Sequence, residues 1–171
     1  MESRKVINIL GIDPSLRGTG LGIISLDGRK VAHVWSKTIH IRPSVRFAEA
    51  LFIVSQKVRQ IIPQYCVKCA AIETPPFVKS VTVLRKLGAV YGAIVEALEE
   101  YQVPVYEFSP MEIKESSTGY GRAEKYTVQN YIKSIFGLEV VPESDSADAL
   151  AAALTLANQY GQLVPTKLKR L

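Results

Sequence analysis

Cysteine, histidine and methionine each occur only twice among the 171 residues, and tryptophan once. Cys66 and Cys69 form a single C-x-x-C. A structural zinc site normally takes four ligands, and no second pair exists; His33 and His40 are far off and spaced like strand residues. The two cysteines read as reduced thiols near a strand start, since a disulfide would be unusual in a cytosolic protein. No apolar run approaches the ~20 residues that a membrane-spanning helix needs. The opening Met1-Glu2-Ser3-Arg4-Lys5 leads into a strand-like run with no small-residue cleavage site. No signal peptide is read, and the expected location is cytoplasmic, away from membranes. Internal repeats, low-complexity tracts and long linkers are also missing.

What is present is an ordinary globular balance, 47% apolar and 22% charged, enough to bury a core. The length predicts one domain over residues 1–160 and a basic tail over 161–171. The net charge of +5 favours a polyanionic partner, of which nucleic acid is the commonest.

Val6 to Asp13 is a β-branched run that ends in Asp-Pro-Ser, a turn signal. Gly20 to Leu26 and Lys30 to Ile41 read as two further strands around Asp27-Gly28, which predicts an antiparallel hairpin. Val45 to Ile62 has helical spacing, with Phe47, Leu51, Val54, Val58 and Ile61 on one face and Pro63 as its end. Val67 to Glu73 and Val103 to Phe108 are short apolar strands of the kind buried on both faces. Helices are predicted over Val81 to Tyr101, Met111 to Ser116, Lys125 to Phe136 and Ser144 to Gln159. Hairpin strands first and helix-linked strands afterwards predict an α/β fold. Its mixed sheet would carry helices on both faces, in the order of the RNase H-like fold.

The long helix carries two apolar stripes. Val81, Leu84, Gly88, Tyr91, Val95 and Leu98 follow the spacing of a packing seam, and Val83, Leu87, Val90 and Ile94 form a second stripe. One stripe can cover the sheet. The other calls for a second copy of the chain or for burial within the monomer, and the pattern does not choose between them.

Asp13 and Glu73 each end an otherwise apolar strand. Adjacent strands would bring both acids to one sheet edge. Asp145 and Asp148 are three apart at a helix start, hence on one face, and the following Ala-Leu-Ala-Ala-Ala-Leu lets that helix pack closely. Four converging acids repel one another unless divalent cations intervene, and oxygen-only ligands suit Mg²⁺ or Mn²⁺. Two such ions roughly 4 Å apart would serve phosphodiester hydrolysis at the attacking water and the leaving oxygen. Each acid also has a plainer role: Asp13 in an Asx-turn, Glu73 as a solvated strand end, Asp145 and Asp148 as first-turn residues favoured by the helix dipole.

The segment Leu10-Gly-Ile-Asp-Pro-Ser-Leu-Arg-Gly-Thr-Gly20 resembles the first signature of the RuvC family of Holliday-junction resolvases. Ala71-Ile-Glu-Thr resembles the second, and Ser144-Asp-Ser-Ala-Asp-Ala-Leu-Ala the last. Gly119-Tyr-Gly-Arg122-Ala-Glu-Lys125 is similar to the family's Gly-x-Gly-x-Ala-x-Lys, which includes Gly121. Lys114 stands where a second DNA-contacting lysine is expected, and Lys86-Leu-Gly88 fits the long helix. The resemblance runs from about Ile7 to Ala157. It implies a Mg²⁺-dependent endodeoxyribonuclease with Asp13, Glu73, Asp145 and Asp148 as catalytic metal ligands. Further implications are a homodimer, paired symmetric nicks in four-way DNA junctions, a branch-migration motor complex as a further partner, and phosphate contacts by Lys114 and Lys125.

One segment departs from the pattern. After the second acid the family carries a Phe and then Lys-Asn, whereas here Pro76 takes the expected place. Phe77 comes one position late, followed by Lys79 and Ser80. Phe77 and Lys79 remain the candidate DNA contacts of this loop. Other readings are an RNase H-like nuclease acting on other branched DNA or RNA–DNA hybrids, and a non-catalytic junction-binding module. A kinase of the actin-like class, which Gly11-Ile-Asp-Pro-Ser loosely resembles, would need two such domains and a second phosphate loop. Binding is expected to fall steeply with salt, with Lys167-Leu-Lys-Arg170 adding charge.

Overall fold

The computed structural model describes residues 6–160 and 171. The opening Met1–Lys5 and the basic stretch Lys167–Arg170 lie outside the described residues. Five strands form one sheet: β1 (Ile7–Asp13), β2 (Gly18–Asp27), β3 (Lys30–His40), β4 (Val67–Glu73) and β5 (Val105–Phe108). Their order across the sheet is β3-β2-β1-β4-β5. The first three are antiparallel neighbours, and β4 and β5 run parallel to β1. The helices are α1 (Phe47–Gln64), α2 (Val81–Glu100), α3 (Pro110–Thr118), α4 (Lys125–Phe136) and α5 (Ser144–Tyr160).

Alternation along the strands separates two cores. Leu10, Ile12, Leu21, Ile23, Ala70 and Ile72 turn one way, under α1 and α2. Ile9, Ile24, Cys69, Ala71 and Phe108 turn the other way, under α3, α4 and α5. Side chains pointing alternately to opposite faces give this division directly. α5 is almost wholly buried from Ser146 to Ala157, so it is the central helix of its layer.

Three expectations change in detail. Pro63 does not end α1, which runs through it to Gln64. So close to the helix end a proline removes one ladder bond and little else, and Tyr65 N–H still reaches the Ile61 carbonyl at 3.0 Å. Phe47 is 38% exposed, and the buried face of α1 is Ala50, Val54, Val58, Ile61 and Ile62. Val103 belongs to the turn before β5, its N–H bonded to the Leu98 carbonyl at 3.1 Å. Cys66 is an exposed free thiol and Cys69 a buried one. No helix among the described residues is long and apolar enough to cross a membrane.

Candidate active site

β1 and β4 are parallel neighbours, with Ile12 opposite Ile72, so Asp13 and Glu73 leave the sheet side by side. Both fall on the α5 side of the sheet by alternation with Gly11 and Ala71. The first turns of α5 cross this edge and supply Asp145 and Asp148.

The approach of α5 depends on missing side chains. A Cβ on Gly11 would lie 1.8 Å from the Ala149 carbonyl oxygen, and one on Gly20 would lie 1.9 Å from that of Asp145. On Gly18 it would meet Asp145 Oδ2 at 2.5 Å, and on Gly22 the Leu150 side chain at 2.8 Å. Glycine is the residue that lets two backbones come this close. Local sequence pattern alone gives no packing role to Gly11, Gly18, Gly20 or Gly22. The signal lies in the pair of elements: Gly18-x-Gly20-x-Gly22 bares one face of a strand, opposite the alanine run of α5.

The loop after Asp13 is pinned. The Thr19 hydroxyl donates to the Ser15 carbonyl, and Ser15 N–H donates back to Thr19 Oγ1 at 3.4 Å. The Arg17 guanidinium donates to the carbonyls of Arg42 at 2.7 Å and Pro43 at 3.3 Å, which joins this loop to the β3–α1 connection. Beside Glu73, Thr74 N–H continues the ladder to the Phe108 carbonyl at 2.9 Å.

The acids raise one another's pKa. Burial, then Glu73, Asp148 and Asp145, push Asp13 up to about 8, with only Lys125 opposing. Burial and Asp148 push Glu73 up to about 7 against Lys114 and Lys125. Asp148 is raised by burial and by Asp145, against Lys125 and Lys114. Several neighbouring carboxyls raised together by burial and like charge make this sheet edge the candidate functional site.

Lys125 opens α4, with Nζ 4.0 Å from Asp148 Oδ2. Lys114, on α3, is close enough to lower both Glu73 and Asp148. The turn between these helices rests on glycine. Gly119 takes φ of 75° at the end of α3, and a Cβ on Gly121 would lie 2.7 Å from Met111 Cγ. Arg122 is exposed on the same turn. Phe77 is 93% exposed. Lys79 is exposed as well, and Ser80 caps α2 by accepting from Val83 N–H at 3.4 Å. Ser80 thus serves as the helix cap, a place that the family's asparagine would fill equally well.

The donors are all oxygens, and four formal negative charges face two lysines. That chemistry fits a hard divalent cation. As the side chains stand, no three of the His, Cys, Asp and Glu groups among the described residues converge on one point.

The family profile described as crossover junction endodeoxyribonuclease RuvC matches residues 9–156. The chain belongs to the RuvC family. The matched range includes all four acids and both lysines. A RuvC from Citrifermentans bemidjiense is 38% identical over 153 residues, covering 90% of this chain and 93% of that protein. The RuvC of Treponema denticola is 38% identical over 151 residues, 88% and 85% of the two chains. Among solved structures, Thermus thermophilus RuvC in complex with a Holliday junction substrate superposes with a TM-score of 0.87 at 29% identity, covering 96% of this chain and 99% of that one. The yeast mitochondrial Holliday junction resolvase shares the fold, with a TM-score of 0.63 at 12% identity over 87% of this chain and 77% of that one. Divalent-metal dependence follows from RuvC membership. The expected RNase H-like mixed sheet is the one observed.

Proposed function

We propose that this chain resolves four-way (Holliday) DNA junctions by paired symmetric nicks, as a Mg²⁺-dependent endodeoxyribonuclease in DNA recombination and repair. The observation that carries this reading is that β1, β4 and α5 bring Asp13, Glu73, Asp145 and Asp148 to one sheet edge, close enough for their charges to raise the pKa of Asp13, Glu73 and Asp148. When bound, divalent cations neutralise the phosphodiester charge and acidify the attacking water; Mn²⁺ substitutes for Mg²⁺ in this role. The four carboxylates would hold the cations. Lys125 and Lys114 offset the acids and contact phosphate beside the scissile bond, a pre-set electrostatic contribution of the kind that stabilises developing charge. The turn of Gly119, Gly121 and Arg122 and the loop of Phe77 and Lys79 supply further contacts to the junction.

Symmetric nicks call for two such sites. The first half of α2 favours a homodimer: Val81 is 79% exposed, Val83 43% and Leu84 48%, with no neighbour within 4 Å of a Cβ on Gly88. The second half of the same helix, Val90, Ile94, Ala97 and Leu98, is buried within the chain. The two stripes therefore divide along the helix as well as around it.

The test is cleavage of a mobile four-way junction with and without Mg²⁺, beside a linear duplex of the same sequence. Paired metal-dependent nicks confined to the junction are expected. Equal cutting of duplex, of RNA–DNA hybrid or of other branched DNA would replace the junction reading with a general RNase H-like nuclease. Tight junction binding with no cutting in Mg²⁺ or Mn²⁺ would replace it with a binding module.

A further inference from the structure

β3 is the outermost strand of the sheet, and antiparallel pairing leaves alternate backbone N–H and C=O groups along its free edge unpaired. Beside this edge, between Lys37–His40 and α1, runs an open groove of about 790 Å³. Its apolar wall is Phe52, 62% exposed, and Ile53, 37% exposed. Neither serves the core, because the buried face of α1 is formed by Ala50, Val54, Val58, Ile61 and Ile62. Its charge comes from Lys37 and Lys57, and no carboxylate among the described residues lines it. Lys57 lies 5.6 Å over the Trp35 ring and donates to Gln60 at 3.0 Å, while His40, at the active-site end, meets Glu143 at 2.6 Å.

We propose that this groove receives an extended, acidic segment of a partner protein, added to the sheet as a strand beside β3. An incoming strand would satisfy the free edge and place alternate side chains over Phe52 and Ile53. Carboxylates on the segment would complement Lys37 and Lys57. A nucleic-acid backbone matches the lysines but leaves the two apolar side chains without a counterpart. A second copy of this chain would oppose lysine to lysine when the two grooves meet face to face.

The test uses the full chain and a fluorescein-labelled peptide of about eight residues, a normal strand length, with phenylalanine, isoleucine and two aspartates at alternate positions so that all four share one face, and threonine between them. Saturable binding is expected, with amide shifts centred on Lys37–His40. Phe52→Glu and Lys57→Glu each weaken it by about tenfold or more, with unchanged thermal stability for Phe52→Glu and unchanged junction cleavage for both. N-methylation of alternate peptide amides abolishes binding, which separates strand pairing from simple charge attraction. Absence of saturable binding, or binding indifferent to Phe52→Glu or to N-methylation, overturns the proposal. Displacement of the peptide by equimolar linear duplex would give the groove to DNA, and self-association lost in Phe52→Glu would give it to a second copy. The readout is peptide binding, so it stands or falls separately from the nuclease reading.

Discussion

A Cβ on Gly20 would stand 1.9 Å from the main-chain carbonyl oxygen of Asp145, so β2 and α5 meet backbone to backbone beside the acids. Neither backbone can yield as a flexible side chain would. Gly20→Ala must push the start of α5 outward and carry Asp145 and Asp148 with it. We expect a loss of about 3 kcal/mol in stability and a fall in cleavage of at least about 100-fold. Thermal unfolding and single-turnover cleavage measure the two effects. Near-parental cleavage by Gly20→Ala would show that this contact does not position the acids.

Asp13→Asn separates catalysis from stability. Burial and three neighbouring acids raise Asp13 from 3.8 to about 8. Between those values the folded chain keeps a proton that the unfolded chain has lost. Without divalent cations, folding stability therefore falls as pH rises from about 4 to about 8 and levels off above. Asparagine carries no charge at any of these pH values. In chelator at pH 9 the variant should be more stable than the parent by about 2 kcal/mol, which allows for screening of the full shift. The difference should vanish at pH 4, and cleavage should be abolished throughout while junction binding persists. Denaturant unfolding at both pH values checks the sign; a parent that is the more stable at pH 9 in chelator refutes the electrostatic account.

Much of this arrangement was legible in the sequence. Asp13 and Glu73 stood out because each ends an apolar run, and the strand order follows from a hairpin signal succeeded by helix-linked strands. Asp145 and Asp148 needed only helical spacing. The glycines were harder to read, because Gly11 and Gly20 matter through a helix more than 120 residues away in the chain, and local pattern carries no information about that crossing. Pro63 read as a stop because a proline usually is one, yet its effect depends on how many ladder bonds remain beyond it. For α2, periodicity gave both stripes but not their division between an exposed first half and a buried second half, since burial depends on which distant elements lie over each turn.

The two lysines predict different pH profiles. Lys125 lowers Asp13, Glu73 and Asp148, whereas Lys114 lowers Glu73 and Asp148. Cation binding requires these acids ionised. Lys125→Ala should cut cleavage at neutral pH by about 10- to 100-fold and move the rising limb of the pH–rate profile to higher pH. Lys114→Ala should move it in the same direction by less. A uniform fall with an unmoved midpoint in both variants would confine the lysines to phosphate contact.

The exposed start of α2 gives a prediction for assembly. Leu84→Glu places a charge in the patch of Val81, Val83 and Leu84. A homodimer built there should dissociate by tenfold or more in Kd, about 1.4 kcal/mol, as read by sedimentation. Symmetric paired nicks should give way to single ones. An unchanged sedimentation profile would move the interface elsewhere.

Phe77 tests the loop that departs from the family pattern. At 93% exposure it contributes no packing, so Phe77→Ala should leave stability within about 0.5 kcal/mol of the parent. Pro75 and Pro76 restrict the backbone just before it, which limits the entropy lost when the ring meets DNA. An aromatic ring stacked on an unpaired base is worth about 1–3 kcal/mol, so the variant should cleave junctions about 10- to 100-fold more slowly. A 2-aminopurine at the crossover reports unstacking, and its signal should rise on binding the parent but not Phe77→Ala. Equal fluorescence with both proteins would mean that Phe77 does not open the junction from its shifted position. A rise with Phe77→Ala but slower cleavage would assign the ring to a step after opening.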